Sequence, residues 1–86
     1  MKSQNQLNAR CHIQVAKALD LISQTKAADV DRDLAYYYAH LVGMKNEPLS
    51  EEFKVEPFLM KAFRDGLEDI QFVESLDFKK ICCGLV

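Results

Sequence analysis

AYYYAHLVG, residues 35–43, decides the fold of this chain. Its three adjacent tyrosines, Tyr36, Tyr37 and Tyr38, cannot share one face of a helix. Neighbouring helical residues are about 100° apart, so the three rings span roughly 200° of surface. The flanking residues divide them. Val30, Leu34, Tyr37, Tyr38 and Leu41 recur at helical spacing and form one apolar stripe. Tyr36 lies beside a second row, Ala35, Ala39 and Gly43, spaced by four. Small residues at that spacing let another backbone come close. Only Arg32, Asp33 and His40 make a polar edge. A helix apolar on most sides is buried, so this one is predicted to be the central helix, packed on two sides. Tyrosine is large and stiff and also suits a docking face. Tyr36, Ala39, His40 and Gly43 are therefore candidate partner-binding residues. The helix that approaches them belongs either to this chain or to another.

Outward from this segment the pattern stays helical. Leu7, Cys11, Val15, Ala18, Leu19 and Ile22 fall on one side of a first helix and are the expected inward stripe. That helix is expected to end between residues 25 and 28. Asp29 is then a candidate N-cap for the central helix, which runs from about Val30 to Val42 or Met44, with Gly43 as its stop. Ser50, followed by Glu51 and Glu52, reads as the start of a short helix. Pro57 fits the first turn of another, or else marks a kink in a single helix from residue 50. In that helix Leu59, Phe63, Gly66, Leu67 and Ile70 line one face. Lys61/Asp65 and Arg64/Glu68 are candidate ion pairs on the opposite one. Phe72 falls on the charged side if the helix continues, so a turn is expected over residues 71–77. A last short helix, stopped at Gly84, would follow. The expected architecture is a single all-α domain over residues 1–86: three main helices plus one or two short ones, packed as antiparallel neighbours.

Composition excludes several functions. The chain has 86 residues, 49% of them hydrophobic, enough to offset ordering entropy in one modest core. Lys and Arg number 11 against 13 Asp and Glu, and the longest basic cluster is Lys79-Lys80. Nucleic-acid affinity comes mostly from phosphate neutralisation, so this balance argues against such a partner. No window approaches the roughly 18 apolar residues of a membrane span, and no apolar segment follows Lys2 as in a secretory signal. Three cysteines, two of them adjacent, do not make a disulfide framework; a reducing, cytoplasmic setting is expected.

Candidate chemistry is sparse. His12 and His40 sit in no metal-ligand spacing, and there is no Cys-x-x-Cys, so neither a metal nor a cofactor is expected. Cys83-Gly84-Leu85-Val86 has the form of a prenylation box, but Gly84 fits it poorly and no polybasic stretch precedes it. Cys82 and Cys83 are expected to flank a last helical turn. No Ser/His/acid set and no Gly-rich phosphate loop suggests an enzyme. The positive signal is an excess of apolar side chains. Ile13, Leu21, Tyr36, Phe58 and Phe72 all lie off the expected inward stripes. A contiguous exposed patch among them would mark a partner site. The expected function is a protein-binding adaptor, chaperone or inhibitor without catalysis, able to form homo-oligomers. Phe58 and Phe72 join the candidate site. The rival is a dimeric DNA-associated regulator, which a salt-dependent gel shift on random duplex would detect.

Overall fold

The computed structural model describes residues 3–84, and residues 73–84 as helical backbone only. Four helices follow one another: α1 (Gln4–Leu21), α2 (Thr25–Met44), α3 (Glu51–Lys54) and α4 (Pro57–Gly84). No strand occurs among the described residues. The chain is an all-α bundle in which α2 is central, with α1 packed along one side and α4 along another. The short α3 fills the gap between α1 and α4.

Both main connections end in the same way, and neither uses glycine. After α1, Ser23 takes a left-handed φ of 61°. Ser23 N–H then donates to Asp20 C=O at 3.1 Å and Gln24 N–H to Leu19 C=O at 2.8 Å. These are the paired bonds of a Schellman stop. After α2, Asn46 takes a φ of 49°. Asn46 N–H bonds Gly43 C=O at 3.0 Å and Glu47 N–H bonds Val42 C=O at 3.1 Å, the same motif. Asparagine tolerates this conformation better than most residues. The expected boundaries shift accordingly. The first break is at residues 22–24, ahead of the expected 25–28, and Asp29 lies inside α2. Gly43 does not stop its helix.

Ser50 caps α3 as its sequence predicts: Phe53 N–H donates to Ser50 Oγ at 3.2 Å. Pro57 opens α4, where its missing N–H costs nothing, and Met60 N–H bonds Glu56 C=O at 3.0 Å. The break between α3 and α4 is therefore real. The turn expected over residues 71–77 is absent, since α4 continues unbroken through that range. No buried surface forces a turn there, because Phe72 simply stays 64% exposed. Cys82 and Cys83 fall within the backbone of α4, but their side chains lie outside the described residues.

The core contains Ile13 from α1, Val42 from α2, Phe53 from α3, and Leu59 and Phe63 from α4, set among alanines at 9, 35, 39 and 62. This corrects the reading of α1. Its buried row is Gln6, Ala9, Ile13 and Ala16, on the side opposite the predicted stripe. Three alanines across α2 and one buried glutamine decide the matter. Ala28, Ala35 and Ala39 of α2 are buried, so the two helices approach through small residues, which gains close backbone packing. Gln6 serves as a clip for the loop before α3. Its Nε2 donates to Pro48 C=O at 2.8 Å, and its Oε1 accepts from Ser50 N–H at 3.0 Å. Gln6→Ala removes both of these part-buried bonds. It is expected to cost about 1–3 kcal/mol, read by chemical denaturation.

α2 and α4 cross at Gly43 and Gly66. A Cβ built on Gly43 would strike the Phe63 carbonyl, and one on Gly66 would strike the His40 carbonyl. At Gly43 the small-residue row of α2 is thus met by a helix of the same chain.

Candidate partner-binding surface

The six candidate residues separate into three groups. Ala39 and Gly43 are fully covered by the core and α4 and offer nothing to a partner in this conformation. Tyr36, His40 and Phe58 form a polar and aromatic rail along the α2–α4 junction. Tyr36 Oη donates to Asp65 Oδ2 at 2.9 Å, and its ring meets Phe58 edge-on with centroids 6.5 Å apart. His40 Nε2 lies 2.6 Å from Asp69 Oδ2, and its ring stacks on Tyr36 at 5.8 Å. Asp65 thus accepts from tyrosine instead of pairing with Lys61 as expected. Arg64 turns its Nε to Met60 C=O at 3.4 Å. Phe72 stands apart, exposed on α4.

The Asp65 hydrogen bond, with some burial, holds the Tyr36 phenol above its usual pKa. A raised folded-state value means that the stabilisation is complete below about pH 10, the unfolded value, and is lost as pH rises through the folded one. In a tyrosinate absorbance titration, one phenol should ionise late, and that late step should vanish in Tyr36→Phe.

A second histidine holds the other seam. His12 Nδ1 of α1 lies 2.9 Å from Asp31 Oδ1 of α2, and its ring stacks flat on Tyr38, 5.8 Å between centroids and 1° between planes. Near the hairpin turn, Arg32 reaches Asp20 at 2.6 Å and also pairs with Asp29. These exposed pairs contribute little energy but agree with the antiparallel register of α1 and α2. Both His–Asp pairs lie along helix seams. A cleft of about 210 Å³ lies between the start of α1 and residues 48–52, lined by Gln6, Arg10 and Leu49 among others, and shares no residue with either pair. Among the described residues no group of three or more His, Cys, Asp and Glu could hold a metal ion. No described helix is long and apolar enough to cross a membrane.

An exposed apolar surface lies where the sequence pattern placed the core. With α1 turned so that Ile13 points inward, Leu7, Cys11, Val15 and Ile22 point outward. On α2 the same holds for Val30, Leu34, Tyr37 and Leu41, because Ala35, Ala39 and Val42 occupy the inner side. Val15 of α1 and Val30, Leu34 and Tyr37 of α2 lie toward the His12–Tyr38 seam, whereas Leu7 lines the cleft against residues 48–52. Leu21 is 87% exposed, Ile22 65%, Val30 60% and Tyr37 55%, far more than a lone surface leucine requires. Periodicity did reveal these rows. It did not reveal which way they face, since a stripe of bulky residues reads as core until smaller residues opposite it prove able to pack closer. No known protein family, curated protein or solved structure matches this chain.

Proposed function

We propose that this chain is a small protein-binding module, an adaptor, chaperone or inhibitor in kind, which acts through the outer face of its α1–α2 hairpin and performs no catalysis. One observation carries the reading: both hairpin helices turn their bulky apolar rows away from the core. Exposing such rows costs solvation free energy in the isolated chain, of about 25 cal/mol per Å². A surface of this kind, edged by polar residues, is the ordinary mark of a protein contact. Tyr37 at its centre is the type of residue that dominates binding energy. The exposed free thiol of Cys11 fits a reducing, cytoplasmic setting.

Capture from native lysate tests this. The wild-type chain and Arg64→Ala, altered on the far side of α4, are expected to retain the same bound protein, and Tyr37→Asp to lose it. Equal capture by all three would place the contact elsewhere, and capture by none would remove the support for any partner.

A further inference from the structure

The outward row of α2 has a stricter order than a general apolar face. Ala27, Val30, Leu34, Tyr37, Leu41 and Met44 are spaced three, four, three, four and three residues apart. Alternation of three and four is the seam of a helix lying lengthwise on another helix. All six are exposed or half-buried, and α1 and α4 pack on the other sides of α2. The row also reads the same in both directions. A second copy laid antiparallel, with its two-fold axis between Ala35 and Tyr36, sets Ala27 against Met44, Val30 against Leu41, and Leu34 against Tyr37. Each layer then joins a smaller side chain with a larger one, which is what close packing requires.

In that register Asp33 falls near the second copy's His40 and Asp31 near its Tyr38, and Lys26 falls against its Lys45 at the two ends of the α2 pair. The operation also brings α1 beside the second copy's α1, where the exposed Cys11, Val15 and Ile22 lie near their own equivalents. The hairpin face is about 27 Å long and roughly 20 Å wide, so two copies cover about 1,000 Å², the lower bound for a specific interface.

We propose that the outer face of the α1–α2 hairpin is a self-association surface, on which two copies pair α2 against α2 antiparallel in a four-helix contact. This rests on the protein-binding reading and names a first partner for the same surface: a second copy of this chain, in isologous contact.

Sedimentation velocity of the full chain tests it. A dimer is expected at high micromolar concentration, dissociating on dilution. Leu34→Glu places two carboxylates beside the axis and is expected to weaken the dimer about tenfold or more, with helical circular dichroism unchanged. Val30→Lys, at a more exposed position, should do the same and covers the case in which Leu34→Glu misfolds. A wild-type chain that stays monomeric overturns the proposal, as does a dimer that persists in both variants. If the chain is monomeric yet captures a protein that Tyr37→Asp loses, self-association fails while the protein-binding reading stands.

Discussion

Gly43→Ala is expected to destabilise the fold by about 3 kcal/mol, against the usual effect of the substitution. In a helix interior, alanine normally stabilises by about 1 kcal/mol relative to glycine. Here the new methyl group would meet the Phe63 carbonyl carbon and oxygen and the Gly66 Cα. All three are backbone atoms, so no side chain can swing aside. α4 must move off α2 as a body, and the contacts of Leu59, Ala62 and Phe63 loosen with it. A domain of this size has roughly 5–15 kcal/mol in total, so the loss is a large share. Chemical denaturation would show it as a lower midpoint. Gly66→Ala attacks the same crossing from the other helix, through the His40 carbonyl. Because the two share one contact, the double variant should cost clearly less than the sum of the singles. A Gly43→Ala protein more stable than wild type would mean that the helices do not cross here.

Phe53→Ala is expected to cost about 3–5 kcal/mol and to leave the chain largely unfolded at physiological temperature. Phe53 is one of the three largest side chains with full burial, and its ring meets Phe63 edge-on at 6.3 Å. It is carried by α3, only four residues long. A helix that short has no stability of its own. Its position depends on the Ser50 cap, on the Gln6 clip and on the buried ring itself. Removing the ring leaves a cavity between α1 and α4 that alanine-rich walls cannot close. Thermal unfolding followed by circular dichroism would show the loss.

These two positions also show what could be read from the amino-acid order. The row Ala35–Ala39–Gly43 signalled a close helix approach, and α4 supplies it. Ser50 and Pro57 announced the start of α3 and of α4, because their backbone chemistry is local. Three features were hidden. The stop at Ser23 uses a left-handed residue other than glycine, so it carries no strong local mark, and α2 ends at Met44 as expected but through Asn46 and not Gly43. The unbroken α4 was missed because Phe72 was assumed to need shelter, whereas one exposed ring is tolerable on a small protein. The orientation of α1 is hidden because bulky residues ordinarily mark the core. The true inner row holds two alanines and a glutamine around Ile13, and Gln6 counts as polar until its two bonds to the loop at Pro48 and Ser50 are known. Ala39 and Gly43, named as candidate partner-binding residues, are interior, while Val15, Val30 and Tyr37, which the periodicity reads as packing residues, face solvent.

Site-specific photo-crosslinking measures the outer face most directly. A photoreactive phenylalanine at position 37, which adds little bulk to the existing ring, should form protein adducts in cells that make this chain. The same probe at Lys61, on the charged side of α4, should form none. Adducts at position 37 alone are the result expected if the hairpin face is the binding surface, whether the captured chain is a second copy or another protein. Adducts at position 61 with none at position 37 would contradict it.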